Sequence, residues 1–341
     1  MKSILTVILP VMLFSASALA QRSDPIERCE SVPLPGHQVS MRVDGIEKVA
    51  WHSSRSYERP FFFPINGPSG SSLTRIGHPG AENHDHHRSV WFAHHDVEGV
   101  DFWSNRSPAR IRQKHWYRYL DGGEETTMAV RLGWYDGKGV EVMESDVVTT
   151  LRPLDDGRPL DDGPYTLEIQ LTCRVPEGRK SVELGKTNFG FLAVRVAKSI
   201  SAYFGDGKIS NSEGLVGEKQ IFGKRARWMD YSGSVSVGRG PNRERTTEGI
   251  TYFDHPGNPR YPTHWHVRQD GWMGASFCMQ EGLRVSPGEP LTLRYLLHVH
   301  AGEYDVKQAA SLANQFAQSP GFVITKSTKP HRQYEVTRIQ P

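Results

Sequence analysis

In residues 165–173 the side chains alternate: Tyr165, Leu167, Ile169 and Leu171 point one way, and Thr166, Glu168, Gln170 and Thr172 the other. A period of two marks an antiparallel strand with one face turned to a core and the other left half-buried. Comparable runs occupy 127–134, 190–196 and 291–298, and Gly, Pro, Asn and Asp punctuate the chain between them. Helical periodicity is convincing once, near the C-terminus. There Asp305 can cap a helix whose stripe is Val306, Ala309, Ala310, Ala313 and Phe316, stopped by Pro320. Many short strands and one late helix predict an all-β chain, a large antiparallel β-sandwich with a short C-terminal helix. The near-duplicated Asp-Asp-Gly of residues 155–163 reads as a long hairpin loop, so residues 21–341 are expected to form a single domain.

The first twenty residues are of another kind. Lys2 precedes an apolar run from Ile4 to about Phe14, and Ala18-Leu19-Ala20 follows. A basic start, a short apolar stretch and an Ala-x-Ala end predict an export signal cut after Ala20. The run is shorter than the ~20 residues that a spanning helix needs. The expected product is periplasmic or secreted, with no integral membrane segment after cleavage. Lys and Arg number 41 against 38 Asp and Glu, a balance that leaves no footprint for nucleic acid. Three cysteines, Cys29, Cys173 and Cys278, stand far apart and form no CxxC pair, so neither a zinc ribbon nor a disulfide framework is implied.

Chemistry is carried by histidine. Six of the fifteen histidines fall between His78 and His95, and the pairs His264/His266 and His298/His300 follow later. Histidine titrates near neutrality and is the commonest metal ligand. In the first stretch an extended chain would put His84, His86 and Arg88 on one face and His87, Ser89 and Trp91 on the other, beside a cleft walled by Trp91 and Trp103. In residues 254–271, alternation places His264, His266 and Arg268 on one face, with Trp265 and Val267 toward the core. A third stretch, 211–231, offers Glu213, Glu218 and Asp230 as bases or metal ligands, with Lys224 and Arg225 as nearby cations.

Two mechanisms can use these parts. Histidines can act as acid and base while arginine stabilises developing negative charge. Alternatively, the His-x-His pairs, with Glu218 or Asp254 as a third ligand, can hold a divalent metal.

Residues 86–94, 99–103, 223–228 and 262–268 resemble, in order, the blocks of a bacterial secreted family catalogued as PmoA-like, over roughly residues 45–318. Family members more often read Asp-His-Pro-His-His-Arg at the segment that ends here in His86-His87-Arg88. Those three residues keep the pattern, whereas His84 and Asp85 depart from it. The catalogue label names a methane oxygenase, but the subunit behind that name is a multi-span membrane protein, unlike this chain. The resemblance implies instead a family met among polysaccharide-utilisation proteins, with a sandwich similar to galactose-mutarotase-like folds.

The resulting expectation is an exported carbohydrate-active enzyme, a lyase, hydrolase or epimerase on a sugar or uronate. His87 or His266 would serve as acid/base, and Arg88 and Arg268 would bind a carboxylate or hydroxyls. Trp91, Trp103, Trp265, Arg225 and Lys224 would bind a small-molecule or oligosaccharide ligand. No cofactor is required by this scheme. In the metal alternative His86, His264 and Glu218 are the ligands. The rival from another class is a non-catalytic glycan-binding module.

Overall fold

The computed structural model describes residues 27–340 apart from 79, 82, 83, 156–162 and 239. The export signal and most of the Asp-Asp-Gly segment therefore lie outside the described residues. The early strands are β1 (Cys29–Leu34), β2 (Gln38–Val43), β3 (Ile46–His52), β4 (Phe61–Ile65) and β5 (Val90–His94). Next come β6 (Arg110–Leu120), β7 (Thr126–Tyr135), β8 (Glu141–Pro153), β9 (Tyr165–Arg174) and β10 (Val182–Leu184). There follow β11 (Gly190–Arg195), β12 (Lys208–Asn211), the one-turn α1 (Glu218–Ile221), β13 (Trp228–Val237) and β14 (Glu244–Asp254). The chain continues through β15 (Trp265–Arg268), β16 (Trp272–Ala275), β17 (Leu283–Val285) and β18 (Leu291–Ala301). It closes with α2 (Val306–Gln318), β19 (Phe322–Lys326) and β20 (Tyr334–Arg338).

Two eight-stranded sheets carry the fold. One runs β1-β2-β3-β4-β5-β11-β16-β15 and the other β12-β13-β14-β18-β9-β8-β7-β6. Their facing sides share one apolar core that reaches from Cys29 to Val299. The expected sandwich is thus observed. β8 and β9 pair antiparallel as far as Pro153 opposite Tyr165, so the Asp-Asp-Gly segment joins two strands of one hairpin.

In β9 the odd-numbered residues from Tyr165 to Cys173 enter the core as alternation requires. Thr166, Glu168, Gln170 and Thr172 are buried as well, where a half-buried strand was expected. The reason lies C-terminally. Gln170 both donates to Phe322 O (2.8 Å) and accepts from Phe322 N (2.7 Å), so the β19–β20 hairpin covers that outer face. α2 covers the neighbouring part, packing Ala309, Leu312 and Phe316 on Trp228, Phe253 and Leu296. Asp305 caps it, accepting from Lys307 N and Gln308 N, an arrangement worth about 1 kcal/mol. The buried stripe runs through Leu312, while Val306 is exposed.

Among the described residues no helix is long and apolar enough to cross a membrane. The three cysteines are free and buried. Burial raises the Cys29 thiol to about 11 and those of Cys173 and Cys278 to about 12, which leaves none of them a nucleophile.

Candidate functional site

The outer face of the first sheet carries a second, aromatic cluster built on Phe61, Trp91, Ala93, Trp103, Ala193 and Trp272. Register explains the hollow beneath it. Across the strands β4, β5, β11, β16 and β15 one row reads Phe61, Trp91, Ala193, Gly274, His266. The next row on β11, β16 and β15 reads Arg195, Trp272, Arg268. Cross-strand neighbours share a face, so two small residues form a floor between Trp91 and His266. A Cβ on Gly274 would stand 3.1 Å from Trp272 Nε1. The space above is a cavity of about 330 Å³ reached by His84, His86, His87, His95, Trp103, Ser104, Phe189, Arg195, His266, Arg268, Asp270 and Trp272.

The histidine-rich stretch and the 264–268 stretch, almost two hundred positions apart, therefore meet at one site. They do not meet as an extended strand would have them. The chain turns at residues 84–87, with His87 N donating to His84 O (3.0 Å), so His84, His86 and His87 reach the same cavity instead of alternating. Ser89 then adopts a left-handed φ of 55°, fixed by its Oγ donating to Thr74 Oγ1 (2.7 Å), and β5 begins with Trp91 outward. Arg88 is carried away from the cavity. Its Nη2 donates to Glu58 Oε2 at 3.0 Å, and its guanidinium lies over Tyr57, so the anion-binding role expected of Arg88 is corrected to a structural clamp.

The guanidinium beside His87 is that of Arg195, which sequence reasoning missed. Fully buried, it donates through Nη2 to His87 Nδ1 (2.6 Å) and through Nη1 to Asp270 Oδ1 (2.8 Å). Asp270 Oδ2 in turn lies 2.9 Å from His78 Nε2. Because an arginine can only donate, the hydrogen bonds assign His87 the tautomer with a bare Nδ1 and a proton on Nε2. Burial first, then the charge of Arg195, holds its pKa far below the ordinary histidine value. His87 stacks on Trp91 (5.3 Å between rings, 23°), and its Nε2–H lies on the ring edge away from Arg195. Trp91 is thus the bed of His87 and not a wall.

His266 is wired in the opposite sense. Its Nδ1 donates to Asn188 O at 3.0 Å, which leaves Nε2 with a lone pair. That nitrogen is buried and has no partner among the described residues, an omission that costs about 1–3 kcal/mol. Burial lowers its pKa to about 4. Both imidazoles pack on the same indole, His87 at 5.1 Å and His266 at 4.0 Å from Trp272. In Asp270, burial would raise the pKa, but Arg195 and His78 bring it below the usual carboxylate range. Arg268 lies over Phe222 (4.5 Å) and donates to Glu218 Oε1 at 3.0 Å.

The loop bearing Trp103 is built from behind. Asp101 Oδ1 accepts from Trp103 N and Ser104 N, and the buried Arg59 donates to Phe102 O and Trp103 O.

Other expected residues stand elsewhere. Trp265 is in the inter-sheet core, with Nε1 donating to Ala226 O (2.8 Å); the alternation that aims His266 outward aims Trp265 inward, and its binding role is withdrawn. Arg225 ties the loop at Arg260 and Pro262 through their carbonyls, and Lys224 is exposed; neither lines the cavity.

The metal set is corrected too. His264 precedes β15 and pairs its backbone with Arg225. Glu218 spends its oxygens on Arg268 and on Gln269 N. His86 packs on His87 (4.2 Å) within the cavity. A metal-bound imidazole normally donates its other N–H to an acceptor, the reverse of His87. His300 is bonded to Asp230 on the opposite sheet, and Asp254 to Asn258 and Thr263. Among the described residues no three His, Cys, Asp or Glu side chains group to hold a metal ion.

Sequence comparison adds one assignment. No curated protein matches the chain. A model of a family of unknown function, DUF6807, matches residues 38–314, and the chain belongs to that family.

Proposed function

We propose that the cavity on the outer face of the first sheet binds a sugar ring and moves a proton on it. The observation that carries this reading is the pair of opposed tautomers: His87 offers Nε2–H and His266 offers the Nε2 lone pair, both packed on Trp272. Two groups set apart in this way are the parts of an acid–base pair. The chemistry they suit is abstraction of a C–H proton beside a carbonyl, as in epimerisation or elimination. The proton passes to His266 Nε2 while the developing oxyanion receives the hydrogen bond of His87 Nε2–H. A neutral imidazole is the right donor for that task, since it polarises oxygen without needing to titrate. Asp270 contributes negative charge that favours the imidazolium formed on His266, against the burial that opposes it. Trp103, Phe189 and Trp272 supply aromatic walls for the apolar face of a sugar. The resemblance to PmoA-like secreted proteins and the basic-then-apolar start of the chain support a carbohydrate ligand met outside the cytoplasm.

The test is proton exchange. The protein is incubated in D2O with a panel of neutral and acidic mono- and oligosaccharides, and products are followed by proton NMR and mass spectrometry. Deuterium incorporation or a new product is expected, lowered at least about 100-fold in His266→Gln and in His87→Gln with the thermal midpoint within a few degrees. A ligand that binds without exchange or product would make the protein a glycan-binding module instead.

A further inference from the structure

Resting on the assignment of this cavity as a sugar site, we propose that it selects uncharged carbonyl- or hydroxyl-bearing rings over uronates, and that Glu218 sets that selectivity. Two guanidinium groups reach the cavity, and each already has its carboxylate. Arg195 Nη1 is 2.8 Å from Asp270 Oδ1, and Arg268 Nη1 is 3.0 Å from Glu218 Oε1. Among the imidazoles, the Nδ1 of His87 is filled by a donor, burial lowers His266 and His84, and His95 already has a carboxylate, Asp101, at 3.2 Å. Arg59 and Arg75 stand behind the walls and do not line the space; Arg59 is spent on carbonyls and Arg75 Nη2 on Asp270 O.

An entering carboxylate would thus meet Asp270 as a like charge in the cavity wall, and an Arg268 whose charge Glu218 already offsets from outside. It could gain Arg195 only by displacing Asp270, because that guanidinium also donates to His87, and leaving a partly buried charge unpaired is costly; at Arg268 it would have to share the guanidinium with Glu218. A built-in repulsive element of this kind discriminates more sharply than attraction alone. A neutral ring has no such obstacle, and the aromatic walls hold it. Of the two carboxylates Glu218 is the adjustable one. It stands outside the cavity on α1, and its second oxygen only accepts from Gln269 N (2.7 Å), a bond that an amide oxygen can keep.

The probes are methyl glycosides of glucose and galactose paired with the matching methyl glycosides of glucuronate and galacturonate. Their dissociation constants are measured at pH 7.5 and low salt by calorimetry or saturation-transfer NMR. The folded protein is expected to bind a neutral member at least about tenfold more tightly than its uronate. Glu218→Gln, which uncovers Arg268, should shift that ratio toward the uronate by about tenfold, because a freed guanidinium forms a charge-assisted bond. Arg268→Met, which uncovers Glu218, should shift it the other way. Equal or tighter uronate binding by the unaltered protein would overturn this inference while leaving the proton-transfer assignment intact if exchange persists. Unchanged ratios in both variants would overturn Glu218 as the selecting residue. Failure of every probe to bind would remove the sugar assignment and this inference together.

Discussion

His87 and His266 differ in one bond each, and that bond decides what each can do. A guanidinium on Nδ1 makes His87 a donor at Nε2; a carbonyl on Nδ1 leaves the neutral His266 an acceptor there. The claim for His87 is open to direct observation. Nitrogen-15 NMR of the histidine side chains should show it as the neutral Nε2–H tautomer at every pH from 8 to 5, with no titration. A midpoint above 5 would mean that Arg195 does not donate to it. Arg195→Met should free that nitrogen and raise the pKa of the ring, with burial still holding it below the ordinary histidine value, at a cost of about 3–5 kcal/mol because Asp270 loses its buried partner. Sequence made His87 conspicuous through its neighbours, but Arg195 was hidden within 190–196, a run read only as one strand among several. The usable signal was there: a charged residue at an alternating position of Leu192-Ala193-Val194-Arg195-Val196 has to face something other than the core. Asp270 was hidden for another reason, since it sits in the turn between β15 and β16, where periodicity says nothing.

At the level of elements, β15 and β16 form the wall that makes the cavity possible. β15 is four residues long, with Trp265 and Val267 in the core and His266 and Arg268 outside. The alternation read from the sequence is the one observed, yet His264 drops out because the strand begins one residue after it. Strand ends, unlike strand faces, depend on tertiary bridges such as Arg225 with His264. The 84–88 segment failed as an alternating strand for a related reason: a turn there obeys hydrogen bonds from the rest of the molecule, not a period of two. Adjacent substitutions in β15 should therefore separate stability from function. Trp265→Phe loses the bond to Ala226 O and leaves part of its volume empty, and should lower the unfolding free energy by roughly 1–3 kcal/mol. His266→Gln should cost less, about 1 kcal/mol, since the Nε2 acceptor it removes is already unsatisfied and its amide N–H can replace the donor to Asn188 O, while abolishing exchange. Urea unfolding of both variants checks this. Similar losses of stability in the two would mean that His266 is part of the core and not of a site.

Across the whole molecule the histidines leave a signature that does not depend on any ligand. Burial is the leading cause that lowers His87, His94, His255, His266 and His298, to about 4 for His94, His255 and His266 and about 3 for His298. In the unfolded chain each would titrate near ~6.5. Between about pH 6.5 and 4 the unfolded state thus takes up about five protons that the folded state does not, and stability must fall as pH falls. His300 does not oppose this. Burial works against its charge, but the Asp230 carboxylate raises its pKa, so below 6.5 it is protonated in both states, and its contribution is lost only as pH rises through the folded value. Asp254 does oppose it, because burial raises its pKa to about 7, so the folded state holds one proton over the same window. The balance is about four protons, or about 5 kcal/mol per pH unit, against a total stability of about 5–15 kcal/mol for a typical domain. The midpoint of urea unfolding is therefore expected to hold between pH 8 and 7 and to collapse between 6 and 5. His298→Gln, on the sheet opposite the cavity, should remove about one proton from that slope while leaving sugar binding in place. A flat profile from pH 7 to 5 would show that these imidazoles are charged or solvated in the folded chain, and the fixed tautomers of His87 and His266 would fall with it.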